Sequence, residues 1–399
     1  MALYNRAMSN RTSSFSTGLQ ILILWVIGLT AAMQFAKLSL TFNVLREAYP
    51  DAGSSLGLIV SIIGLVGILF GLWASSVVSR FGFKRLLIYA LLLGAACSFY
   101  QSFLPDLTSM LISRVIEGLS HLVIVVAAPT MISNFSPEKF KSATMTLWST
   151  FFGVAFTITS WVGLPFQQAY GIDSFLQVHA SIMLVLAVIA YIYLPELDIK
   201  NTAPRGMNIK GLIKTHYDVY RSPYVSAPAF GWLFYTLTYV SLLTILPDLF
   251  TPETSAFYLG LLPIVSIGAS LFCGVFLLTK FKAVNVAIFG FIGSAISISL
   301  LMTGAQIEFV AISIFVMLGV IQSANFAAIP ALNSDVKDLA NANGAVAQMG
   351  NLGNTTGTPI LLSVLALSGM NGMIVLITLI YLGGAIAHIL LARKRIRRS

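Results

Sequence analysis

Twelve runs of about 20 apolar residues follow one another with short polar breaks, at approximately 19–42, 55–78, 84–104, 108–134, 142–164, 175–195, 224–247, 256–279, 283–304, 308–332, 342–367 and 371–392. Each is long enough to cross a bilayer core as a helix. A backbone facing lipid must satisfy its own N–H and C=O groups, and a helix does so within one segment. The sequence therefore predicts an all-α membrane protein with 12 transmembrane helices. Only 9% of the residues are charged, against about 25% in soluble domains, so water is not the main solvent, and the loops are too short to hold a second catalytic domain.

The net charge of +9 raises the possibility of a nucleic-acid partner, but its distribution speaks against one. With the N-terminus inside, 20 of the 23 Lys and Arg fall at cytoplasmic ends or loops, among them Arg393, Lys394, Arg395, Arg397 and Arg398 of the tail. Arg46 falls outside, and Lys37 and Arg114 lie within spans. This is the positive-inside pattern of a multi-pass protein, and it predicts both termini in the cytoplasm and residence in the cytoplasmic (inner) membrane. The first apolar run is too long for a signal peptide and should stay as span one. Cys97 and Cys273 both sit in spans and read as core thiols rather than a disulfide.

A polar stretch with five basic residues, Glu196 to Arg221, divides the chain six spans plus six. The expected units are an N-terminal bundle, 1–196, a cytoplasmic linker, 197–222, and a C-terminal bundle with its basic tail, 223–399. Gly118 and Gly319 are 201 residues apart, as are Pro129 and Pro330. The same offset carries the basic turn Arg80–Arg85 onto Lys280–Lys282. These landmarks predict two six-helix bundles related by a parallel pseudo-twofold repeat. No stretch matches the phosphate-cradling G-x-x-x-x-G-K-[ST] loop. No cofactor, metal site or catalytic residue is expected, and any energy source must be a gradient.

The turn after span two reads Ser75-Ser-Val-Val-Ser79-Arg80-Phe-Gly82-Phe-Lys84-Arg85, and it resembles the G-x-x-x-D-R-x-G-R-R signature of the major facilitator superfamily. Arg114-Val-Ile-Glu117-Gly118 in span four is similar to that family's R-x-x-Q-G element, and Pro137-Glu138-Lys139 up to Ala143 is similar to its P-E-x-R-x-x-A run. The resemblance covers the whole chain by span count and is strongest from Gly71 to Gly163. It implies a monomeric secondary transporter that alternates access to a central cavity lined by spans one and four. Ser79, Arg80, Gly82, Lys84 and Arg85 would form its conformational loop. Two departures stand out. Ser75 and Ser79 replace the usual Gly and Asp, and span five lacks the G-P-x-x-G-G of drug/proton antiporters.

Within the spans, ionisable residues are the functional candidates. Arg114, Glu117 and His121 lie along one face of span four over roughly 10 Å. Glu117 is the only carboxylate in a span interior. Pairing with and release from Arg114 would load and unload a proton; the bland reading is a permanent ion pair. His121 either relays protons or bonds within the bundle. Lys37 stands at the depth of Arg114, and it either joins it in a positive site or snorkels to the headgroups. With Glu117 the three sum to +1, which favours an anionic solute. Gln34 of span one joins them as a candidate ligand.

The second half offers amides, Gln322 and Asn325 in span ten and Gln348, Asn351 and Asn354 in span eleven, at three-residue steps. They either orient a polar solute or bond helix to helix. Trp232, Tyr235 and Tyr239 form an aromatic stripe on span seven that either packs the core or stacks against cargo. The leading expectation is proton-coupled symport of a small organic solute. Proton-coupled efflux of drugs or metabolites and a transporter-like sensor are the alternatives. A membrane enzyme would need paired carboxylates, a metal cluster or a nucleophile beside a base, which these spans do not offer.

Overall fold

The computed structural model describes residues 2–196 and 209–397; residues 197–208 of the linker and the side chains of Ser79 and Arg80 lie outside the described residues. Helices account for all regular structure among the described residues. Nine of them are long and apolar enough to cross a membrane. Two of the nine exceed one crossing. Phe151–Tyr193 runs for 43 residues and Asn341–Ile396 for 56. The first breaks at Gly171, where φ is +86°, and the second at Gly369, where φ is +65°. Those left-handed conformations suit glycine, and they let spans five and six, and eleven and twelve, turn back without a loop. The shorter apolar helix Leu56–Gly71 supplies span two, which brings the total to the twelve expected.

Span one is the Thr17–Ser39 part of the helix Ala2–Ser39, span two Leu56–Ser61 continuing into Leu65–Phe81, span three Phe83–Gln101 and span four Leu107–Phe135. Span five starts at Lys141–Ser149 and runs six residues past its expected end to reach Gly171, where span six begins. In the second half the spans are Ser226–Ile245, Pro252–Lys280, Ala283–Ser299, Ile307–Leu332 and the two parts of Val336–Ile396. Asp106 caps span four by accepting from the Ser109 amide at 3.1 Å. Hydrogen bonds from Ser109 hold the Asp106 carboxyl below its usual range.

The repeat is visible in packing. A Cβ on Gly118 of span four would meet the Ile63 carbonyl oxygen at 2.3 Å, and one on Gly319 of span ten would meet that of Ser266 at 2.2 Å. Each half thus presses its fourth helix onto the backbone of its second, and only a residue without a side chain permits that approach. The face holding both termini also holds the helix Ile209–Arg221 of the linker. The opposite face holds the turns at Gly171, Gly304 and Gly369. These are called below the terminus face and the turn face.

Candidate functional site

Span two tightens at Ile62–Gly64, and the two carbonyls just before that turn receive Arg114. Its Nε donates to the Ile59 oxygen at 2.7 Å and an Nη to the Val60 oxygen at 3.1 Å. The other Nη donates to Glu117, one turn along span four. Lys37 reaches in from span one, and its Nζ lies 2.7 Å from the second Glu117 oxygen. Gln101 of span three donates to Glu117 at 2.8 Å. The carboxylate thus binds two cations and an amide, all within the N-terminal bundle. Lys37 is 1% exposed, and Arg114 and Glu117 are fully buried. Charges so removed from water persist only when paired and hydrogen-bonded. One positive charge stays in excess.

The fold brings Lys37, Arg114 and Glu117, the three charged residues the sequence places within spans, to one point. Gln101, Ser98 and His179, which the sequence does not single out, join them. Lys37 also donates to the Ser98 hydroxyl, which lies 2.7 Å from His179 Nδ1. His179 Nε2 is 3.2 Å from the Thr30 carbonyl oxygen. A carbonyl only accepts, so Nε2 carries the ring proton, Nδ1 accepts, and Ser98 donates. His121 stands apart. Its Nδ1 donates to the Ala31 carbonyl at 3.1 Å, and Phe35 meets its ring edge-on at 5.1 Å. Gln34 donates to Ser120 at 3.0 Å inside the same bundle, and its carbonyl oxygen is buried without a partner.

The second-half candidates disperse. Asn325 is 1% exposed and accepts from His388 of span twelve at 3.2 Å, inside its own bundle. Trp232, Tyr235 and Tyr239 stack in sequence, with centroids 4.4 and 5.3 Å apart. Tyr235 points its hydroxyl at Gln322, 3.5 Å away. Asn351 packs against Gly67 of span two, and the buried Asn354 oxygen has no partner. Gln348 is a hub between the halves. It donates to the Ile68 carbonyl of span two at 2.6 Å and to His216 of the linker helix at 3.1 Å, and accepts from Tyr220 at 2.7 Å. In the loop motif Gly82 turns the chain at φ +94°. Lys84 stands over the Tyr191 ring, and Arg85 is exposed.

Polar contacts between the halves gather towards the turn face. Ser39 meets Thr244 at 2.6 Å, and Asp248 accepts from Asn43 at 2.9 Å and from Arg46 at 3.0 Å. Spans five and eight join through Thr157, Ser160 and Trp161, which donate to the carbonyls of Gly260, Ala256 and Phe257. The described contacts thus close that face.

Twelve spans in two repeated bundles, with a charged cluster buried in one of them, define a multi-pass membrane protein of the six-plus-six type. Residues 24–358 match the pattern that defines the Major Facilitator Superfamily, and the chain belongs to that family. It is 29% identical over 177 residues to a 4-hydroxybenzoate transporter of Pseudomonas putida, a match covering 44% of this chain and 38% of that one. It is 26% identical over 162 residues to an arabinose-proton symporter of Bacillus subtilis, covering 40% and 35%. The matched region therefore spans little more than a third of these relatives' length. A bacterial homologue of the human lysosomal transporter Spinster, solved inward-facing and unoccupied, superposes with a TM-score of 0.72 at 12% identity, over 96% of this chain and 98% of that one. The human organic anion transporter MFSD10 does so with 0.68 at 14% identity, over 92% and 98%.

Proposed function

We propose that this chain is a secondary active transporter, not an enzyme, that carries a small organic anion with protons by alternating access. The observation that carries the reading is the Lys37–Glu117–Arg114 cluster, buried with one uncompensated positive charge. Such a cluster is expensive unless it is used, and it favours an anion when a proton is aboard. The partial likeness to a 4-hydroxybenzoate transporter supports an organic anion, and that to an arabinose-proton symporter supports proton coupling. Glu117 anchors the coupling site with Arg114 bonded to it, and His121, one turn further along span four and bonded to the Ala31 carbonyl, is the remaining candidate for proton relay. Trp232, Gln322, Asn351 and Asn354 are the ligands offered from the second half. The protein works as a monomer in the cytoplasmic membrane with both termini inside, and the closed turn face is then the outer gate.

The test is uptake of labelled 4-hydroxybenzoate, with arabinose as neutral control, into proteoliposomes holding an imposed pH gradient. Accumulation of the acid that collapses with a protonophore is the expected result. Accumulation of arabinose alone overturns the anion reading. Binding of the acid without flux favours a sensor.

A further inference from the structure

Which group of the cluster exchanges a proton follows from its charge count. Protonating Glu117 leaves two buried cations, Lys37 and Arg114, facing no anion. Deprotonating Lys37 leaves a neutral amine beside a neutral Arg114–Glu117 pair. Burying unpaired charge costs several kcal/mol per ion, so the second change is the cheaper. Both span-two carbonyls and Glu117 hold Arg114 in place. The groups facing Lys37 among the described residues are Ser98 with the buried thiol Cys97 on span three, Glu117 and Arg114 on span four, and His179 on span six.

We propose that Lys37 carries the exchangeable proton and that Ser98 and His179 are the path by which it leaves, a refinement that rests on the proton-coupled reading above. The hydrogen bonds already point the right way. Lys37 Nζ donates to Ser98 Oγ, and Ser98 donates to His179 Nδ1. One proton passes from Nζ to Oγ as the hydroxyl proton passes to Nδ1. The products are an amine, an intact hydroxyl and an imidazolium, which is buried without a carboxylate partner and so is a transient carrier rather than a resting state. The Thr30 carbonyl that covers Nε2 belongs to span one, so a shift of span one against span six uncovers the ring for discharge. The cluster goes from +1 to neutral as the proton leaves, and its attraction for an anion falls with it. Proton and anion are thereby linked reciprocally.

The experiment is 15N NMR of the full-length protein labelled on its four histidines, in lipid nanodiscs, from pH 6 to 10. The His179 signal is assigned by its loss in His179→Asn. The proposal expects an unprotonated, hydrogen-bonded Nδ1 at neutral pH whose signal shifts as the lysine discharges. Lys37→Met should abolish that shift. Ser98→Ala should move Nδ1 to the position of a free acceptor, and Ser98→Thr should restore it. A protonated Nδ1 at neutral pH, or a signal indifferent to both Lys37→Met and Ser98→Ala, overturns the relay. No solute is needed, so failure to transport 4-hydroxybenzoate leaves the relay testable. A failed relay in turn leaves transport standing with Glu117 as the carrier.

Discussion

Replacing Glu117 with Gln removes the one anion from a site that is 0–1% exposed at each charged residue. Lys37 and Arg114 then face each other across a neutral amide, and the buried charge rises from +1 to +2. Removing one partner of a buried pair costs roughly 3–5 kcal/mol, and that range applies here because Arg114 keeps only its two carbonyl partners. Lys37→Met acts in the opposite sense. It drops the charge to zero, and Arg114 and Gln101 still hold Glu117, so the loss is that of two hydrogen bonds, about 1–3 kcal/mol. Combining the two substitutions returns the charge to +1. The double variant should therefore be more stable than Glu117→Gln alone, a non-additivity expected of residues in direct contact. Thermal unfolding in detergent, read by the monodisperse fraction remaining after heating, ranks the four proteins. If Glu117→Gln is no less stable than Lys37→Met, or if the second substitution adds to the damage, unpaired charge does not dominate the energetics of this site.

Three further outcomes follow from the packing and the gates. Gly118→Ala and Gly319→Ala should each lower stability by at least about 1–3 kcal/mol, because each new Cβ meets a backbone oxygen at 2.3 or 2.2 Å; heating curves indistinguishable from wild type would show that the helices do not meet there. Ser39→Cys with Thr244→Cys, in a background without Cys97 and Cys273, should form a disulfide that halts uptake and is released by reductant, since the two hydroxyls are 2.6 Å apart. Continued uptake with the bond formed would mean that this face need not open. Gln348→Leu deletes three hydrogen bonds worth roughly 0.5–1.5 kcal/mol each, and amides of Ile209–Arg221 should exchange faster with deuterium; unchanged exchange would show that the hub does not hold the linker helix.

The spans were legible because lipid imposes one rule on every crossing, and twelve apolar runs obey it. Their ends were less so. Span five overshoots its apolar run because the reversal falls at Gly171, where φ is +86°, and a lone glycine among many does not announce that role. Lys37, Arg114 and Glu117 stood out because charge in a span is rare. Ser98 and Gln101, three residues apart on span three, and His179 on span six did not, since a single serine, amide or histidine in an apolar run reads equally as core. Their part depends on spans one, three, four and six meeting at one depth, and the amino-acid pattern does not encode which helices meet. For the same reason the amides of span eleven, evenly spaced in sequence, go to different partners. Gln348 turns to the linker helix and span two, while Asn351 packs on Gly67.

On the proposed mechanism, solute and proton cross together through the buried cluster. Proteoliposomes enclosing a pH-sensitive dye measure it directly when 4-hydroxybenzoate is added outside at equal pH, with valinomycin and potassium clamping the potential. Acidification of the lumen in step with uptake of the labelled acid is expected, with no acidification for Lys37→Met or Glu117→Gln. Uptake of the acid at the wild-type rate with no change in lumenal pH, or with both variants still acidifying, would contradict it.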